Sequence, residues 1–290
     1  MSAEKIQPDS AFVRRALPQR PDDANKGTMG TLLSICGSYG MAGAALLATK
    51  AALRMGIGLH KLALSERIYP IVAQAIPESV YLPLSEPTAA HTERLLKEMQ
   101  SADAVLIGCG LSLCDNTRTI VNSFIEKCKI PMVLDADALN VVAENPEILK
   151  NAAAPIIITP HPGEFARLTA STPQAVNADR EQLAAAFAKQ YGVVTVLKGK
   201  GTVIAAPDGT IRINPTGNSG MATGGSGDVL AGMIASLTAQ GANLFDAAAA
   251  AVYLHGLAGD IAAERLGKIS MLPSDLIDCI PAALKSCGAE

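Results

Sequence analysis

Tryptophan is absent from this 290-residue chain, and aromatic residues make up only 3% of it. Base or ring recognition by stacking platforms is therefore excluded, and the core must be built from Ala, Leu, Ile and Val. Charge is scarce too, at 18% against a usual share of about 25%, and 24 Lys+Arg against 27 Asp+Glu leave a net charge of −3. Such a balance offers no field for a phosphate backbone or anionic headgroups, which excludes nucleic acid and membrane surfaces as partners. Apolar runs such as Ala247 to Leu254 fall far short of the ~20 residues a membrane helix needs. The six cysteines, Cys36, Cys109, Cys114, Cys128, Cys279 and Cys287, form no C-x-x-C pair, and the N-terminal residues contain no apolar signal core. These features predict a reducing, cytoplasmic setting with the cysteines as buried small hydrophobes.

What is present is apolar residue, at 49%. A chain of this length can bury about 75% of its unfolded surface in one core, so a single domain over residues 1–290 is expected. The run Thr31 to Cys36 reads as a strand, Gly37 to Gly43 as a glycine-rich turn, and the stretch after it as a helix stopping at Gly56. The alternation continues with strands in LHKLALS, ADAVLIG, IPMVLDADALN, APIIITPHPGE and VVTVLKGKG, and with helices over Thr88 to Gln100, Asn116 to Cys128 and Thr172 to Gln190. Strands that alternate with helices specify parallel βαβ units, and unbroken apolar strands require cover on both faces. Beyond Lys198, TVIAAPDGTIRIN reads as two strands joined at Pro207-Asp208-Gly209, giving an antiparallel edge. The fold class is α/β, a mostly parallel central sheet with helices on both faces. Ligands of such sheets bind at the carboxyl ends of the strands.

The strongest chemical signal is Gly224-Gly225-Ser226-Gly227-Asp228 at the mouth of an apolar helix. Unhindered backbone amides and the helix dipole make an anion hole there. Asp228 lies in the first turn, where the dipole favours its ionised form, so it can take a proton from a hydroxyl attacking phosphorus. The plainer reading is a tight turn with a first-turn acid. His161 and Glu164, in Thr159-Pro-His161-Pro-Gly-Glu164, have N-cap and N3 spacing, which suits a capping box. Lys198-Gly199-Lys200-Gly201-Thr202 reads as an exposed basic turn. Asp135 and Asp137 end a buried strand, each open between capping the next helix and supporting the site. His60, His91 and His255 show no partner pattern and read as structural or surface residues.

The stretch Asn214 to Gly232, containing GMATGGSGDVLAG, resembles the C-terminal signature of the ADP- or ATP-dependent NAD(P)H-hydrate dehydratases of the ribokinase-like superfamily. Lys26-Gly27-Thr-Met-Gly30, GSYGMAGAALLA, GCGL, LDADALN, TPHPGEFARL and LKGKGT follow that family's order along nearly the whole chain. The resemblance implies a ribokinase-like fold and a lyase that dehydrates NADH hydrate and NADPH hydrate, with ADP or ATP as co-substrate. It implies Asp228, Gly225 and Gly227 as catalytic residues, and Ala42, Gly43, Ala44, Gly110 and His161 against the hydrate. It further implies Lys198, Gly199, Lys200, Gly201, Thr202 and Gly227 as the nucleotide site, Glu164 as a magnesium-shell residue, and a homotetramer. Cys109 and Ser112 stand where relatives commonly show Pro and Gly. The alternative is a ribokinase-like kinase of a small vitamin-precursor alcohol, which uses the same anion hole and aspartate.

Overall fold

The computed structural model describes residues 5–85 and 89–289. Thr88, the expected start of one helix, and the outermost residues of the expected domain, 1–4 and 290, lie outside them. The strands are β1 (Lys5–Ile6), β2 (Thr31–Ile35), β3 (Leu59–Ser65), β4 (Val80–Leu84), β5 (Ala104–Ile107), β6 (Met132–Leu134), β7 (Ile156–Ile158), β8 (Val194–Leu197), β9 (Val203–Ala205) and β10 (Ile211–Ile213). They form one sheet ordered β1-β10-β9-β8-β7-β6-β5-β2-β3-β4. From β8 to β4 the pairing is parallel, while β9 runs antiparallel to both β8 and β10. The antiparallel hairpin lies toward the expected edge, with the two-residue β1 outermost and parallel to β10.

Twelve α-helices accompany the described strands: α1 (Ser10–Ala16), α2 (Ala42–Arg54), α3 (Tyr69–Ala75), α4 (Ala89–Met99), α5 (Asp115–Lys127), α6 (Asp137–Glu144), α7 (Pro162–Leu168), α8 (Pro173–Ala178), α9 (Arg180–Tyr191), and, after the last strand, α10 (Ser226–Ala239), α11 (Leu244–Leu266) and α12 (Pro273–Ser286). None of them is long and apolar enough to cross a membrane. Successive strand residues point to opposite faces, so each strand feeds two cores. Leu32, Leu62, Leu64, Leu106 and Val133 pack beneath the layer of α2, α10, α11 and α12, whereas Leu33, Ala63, Val105, Ile107 and Leu134 pack beneath α4 to α9. That is why the central strands read as unbroken apolar runs.

On the first face Ala247 to Ala251 are all fully buried, and small residues let helices approach closely. A Cβ at Gly232 of α10 would land on the Ala48 carbonyl oxygen of α2, so only glycine permits that crossing. Several segments differ from their sequence reading, and the strand expected through Glu164 ends at Ile158 because Pro162 opens α7. The strand expected through Asn140 ends at Leu134, because Asp137 opens α6. The single helix expected over 172–190 is two, broken at Asp179, whose backbone leaves the helical region. Cys114 is exposed, contrary to the reading of all six thiols as buried.

Candidate functional site

Four neighbouring strands end at the same place and each delivers one polar group. Cys109 follows β5, Asp135 follows β6, Thr159 follows β7 and Lys198 follows β8. The Lys198 Nζ lies 2.7 Å from Asp135 Oδ1, and Thr159 Oγ1 donates to the same oxygen at 2.7 Å. Cys109 Sγ donates to Asp135 Oδ2 at 3.7 Å. Asp135 is only 2% exposed, and a cation and two donors meet it there. Burial pulls the Lys198 pKa down, but Asp135 and Glu164 outweigh it and hold the ammonium above its ordinary value.

Asp228 joins this cluster from α10. One ligand atom each of Cys109, Asp135 and Asp228 lies within 4.8 Å of the others. The turn before it requires Gly225 in the left-handed region at φ 99°, where a Cβ would also strike Leu47 of α2. The first amides of a helix have no carbonyl partner within it, and Asp228 lies in this first turn. Gly227 lies over the Lys198 ammonium, which would be 3.2 Å from a Cβ placed there. The expectation that the dipole governs Asp228 is corrected by its surroundings: burial, then the Asp135 charge, push its pKa up to about 6. It is still mostly ionised at neutral pH, and it is a better proton acceptor than an ordinary aspartate.

Behind the turn, His255 is buried in α11 with its Nε2 3.3 Å from Ser226 Oγ, and burial lowers its pKa to about 4. The segment leading into the turn is tied to α11 as well. Asn218 Nδ2 donates to Gly259 O and Asp260 Oδ1, each at 2.9 Å, and the Gly217 amide donates to Asp260 Oδ2 at 2.9 Å. His60, on β3 and in phase with Leu62 and Leu64, is a buried residue bonded to Ser34 and Ser79, as its structural reading anticipates.

His161 and Glu164 form the expected capping box at the start of α7. The His161 Nδ1 accepts from the Gly163 and Glu164 amides, and Glu164 Oε2 accepts from the His161 amide at 2.7 Å. Since Nδ1 accepts, the ring proton resides on Nε2. Burial first, then Lys198, lowers the His161 pKa, so the ring is neutral. Burial raises that of Glu164, whose Oε2 lies 3.9 Å from Lys198.

The segment Lys198 to Thr202 is not a free basic turn. Arg180, at the start of α9, donates to Leu197 O at 2.7 Å and Lys200 O at 2.6 Å, and Thr202 Oγ1 donates to Gly199 O. Beside it lies a cavity of about 480 Å³ lined by Arg180, Lys200, Gly201 and Ile213. Ala44 and Gly110, far apart in sequence, meet directly, since a Cβ at Gly110 would overlap the Ala44 methyl. Ala42 and Gly43 open α2 alongside. Neither Asp135 nor Asp137 caps α6, whose N-cap is Ala136. Asp137 Oδ2 instead accepts from the Ser112 amide at 2.8 Å and steadies that residue at φ 65°, a conformation that glycine adopts more readily. Sequence reasoning missed Cys109, Thr159, Arg180 and His255 as parts of this site.

A sequence profile described as NAD(P)H-hydrate dehydratase matches residues 32–282. A bifunctional NAD(P)H-hydrate repair enzyme of Moorella thermoacetica is 42% identical over 97% of this chain and 54% of its own length. The chain thus spans about half the length of the bifunctional relatives it matches. The ADP/ATP-dependent NAD(P)H-hydrate dehydratase of Bacillus subtilis, co-crystallised with ATP and Mg2+, superposes with a TM-score of 0.84 at 33% identity, covering 99% of both chains. A ribokinase from Thermotoga maritima, 16% identical with a TM-score of 0.56 over 88% of this chain and 99% of its own, shares the fold.

Proposed function

The chain belongs to the NAD(P)H-hydrate dehydratase family, and on that premise we propose that it dehydrates NADH hydrate and NADPH hydrate with ADP or ATP as phosphoryl donor. The observation that carries this reading is the meeting of Asp228 with the amide turn Gly224 to Gly227 over the Lys198–Asp135 pair.

Asp228 takes the proton from the ring hydroxyl as that oxygen bonds to the terminal phosphorus of the nucleotide and the bond to the bridging oxygen breaks, releasing AMP or ADP. The amides of Gly225 and Gly227 face the migrating phosphoryl oxygens and need no rearrangement as charge develops. Phosphate is a far better leaving group than hydroxide. The ring nitrogen lone pair expels it with its bonding electrons, and loss of a proton from the adjacent carbon restores the nicotinamide double bond. Neutral His161 offers its Nε2 proton to the hydrate, while Ala42, Gly43, Ala44 and Gly110 leave room for its ring and ribose. The backbone of Lys198 to Thr202 receives the adenine nucleotide, with Lys200 as the free ammonium, since that of Lys198 is engaged by Asp135.

Glu164 fits a magnesium ion held through water: its Oε2 is committed to the His161 amide, and among the described residues its Oε1 has only the His161 ring at 3.5 Å. One carboxylate with nucleotide phosphates and waters is a normal magnesium environment, and the ion would neutralise phosphate charge there. The same reading makes residues 1–290 one catalytic domain of a cytoplasmic homotetramer. The test is to incubate the protein with either hydrate and ADP or ATP and to follow recovery of nicotinamide absorbance. Recovery with stoichiometric phosphate supports the proposal; no recovery, with a stable phosphoester formed from another alcohol, replaces it with the kinase reading.

A further inference from the structure

A dinucleotide has two halves, and the cluster around Asp228 accounts for only the reacting one. Next to it, β2, the Gly37 to Gly43 turn, α2 and β3 make a βαβ unit, and β3 runs directly into Glu66 and Arg67. Both residues line a cavity of about 140 Å³ whose floor is apolar, formed in part by Ile35 and Leu84. One loop joins the cavity to the reacting centre: Cys109 belongs to the Asp228 cluster, Gly110 meets Ala44, and Leu111 lines the cavity wall. The Ser38 and Ser112 hydroxyls, 2.8 Å apart, clip the two flanking turns together. Arg67 is held over this opening by stacking, its Cζ 3.8 Å from the centre of the Tyr39 ring. Tyr39 is 68% exposed in a chain with only 5 Tyr and 5 Phe. A ring so placed keeps a guanidinium extended rather than folded onto the surface.

We infer that this cavity receives the adenosine ribose of the dinucleotide, with Glu66 facing a 2′-hydroxyl and Arg67 a 2′-phosphate. The inference rests on the proposed dehydratase activity and assigns the discrimination between its two substrates. A carboxylate about 20 residues beyond a glycine turn, at the end of the next strand, accepts from a ribose 2′-hydroxyl, whereas an arginine there accommodates the 2′-phosphate. This chain carries both, side by side. A guanidinium meets phosphate with charge-assisted, paired hydrogen bonds, so its loss bears on the phosphorylated substrate far more than on the other.

The experiment measures kcat/KM for NADPH hydrate and NADH hydrate in wild type, Arg67→Met, Arg67→Lys and Glu66→Gln, and compares the ratio of the two values. Arg67→Met is expected to lower the NADPH-to-NADH hydrate ratio at least ~tenfold, with partial recovery in Arg67→Lys. Glu66→Gln is expected to raise the same ratio, by removing a charge that repels the 2′-phosphate and a partner of the 2′-hydroxyl. A ratio within about twofold of wild type in all three variants overturns the assignment, because a merely structural role alters both substrates alike. Turnover of neither hydrate by wild type would overturn the activity and the assignment together; turnover with an unmoved ratio overturns the assignment alone.

Discussion

Two glycine-rich turns feed two helices that open on the same cleft, and they differ in what they carry. The turn from Gly37 to Gly43 leads into α2, which has no acid in its first turn and no side-chain cap. That from Gly224 to Gly227 leads into α10, which carries Asp228 in its first turn. The helices are packed through Gly232 against Ala48 and Gly225 against Leu47, so neither turn moves without the other. On the proposed function, like elements divide the work: one presents amides and space, the other amides and a base. What separates them is the cluster of Asp135, Lys198 and Cys109 beneath α10, which among the described residues has no counterpart beneath α2.

The comparison breaks most completely at Asp228. Asp228→Asn is expected to reduce turnover at least ~100-fold in the absorbance assay while nucleotide binding persists. The same change should stabilise the fold. With its pKa raised from 3.8 to about 6, this carboxyl withdraws stability as pH rises from about 4 to 6, so its neutral replacement gains up to about 3 kcal/mol at pH 7 by thermal or urea unfolding. Lys198→Met leaves Asp135 buried beside no cation, and should cost about 3 kcal/mol in urea unfolding; adding Asp135→Asn recovers most of it. Gly232→Ala forces the two helices apart and should lower stability by about 2 kcal/mol, together with activity, since both turns shift.

The acidic limb of kcat/KM tests the surroundings of the base. Activity should fall about tenfold per pH unit below about 6, because the protonated carboxyl cannot accept the substrate proton. A limb near pH 4 would mean that burial does not set this group. The smallest effect belongs to the other turn. A Cβ at Gly43 meets nothing within 4 Å, so Gly43→Ala should raise stability slightly, by about 0.5 kcal/mol, yet raise KM for the hydrate where the ring needs that space.

The parallel strands were legible because burial on both faces writes apolar runs that no charge interrupts, as in Ala104–Ile107 and Ile156–Ile158. The segment Val80–Leu84 escaped, since it contains Pro83 and its first residue is exposed at the sheet end. Lys5–Ile6 is too short for any periodicity, and Asp179 interrupts a helical pattern without a Gly or Pro to mark the break. At the site, Asp228 and its glycines are contiguous and announce themselves. Lys198 and Asp135 are separated by 63 residues, and only the strand order brings β6 and β8 to either side of β7. The signal was topological: each follows the last residue of its strand. Arg180 acts from a helix start created by the break at Asp179, so missing the break meant missing the arginine.

That arginine has a kinetic consequence. Its guanidinium grips the Leu197 and Lys200 carbonyls, so the peptide units between them are already tied in place before the proposed adenine nucleotide arrives. Association then loses little chain entropy and need not wait for a loop to find its shape, which leaves the encounter rate to diffusion and the residence time to contacts alone.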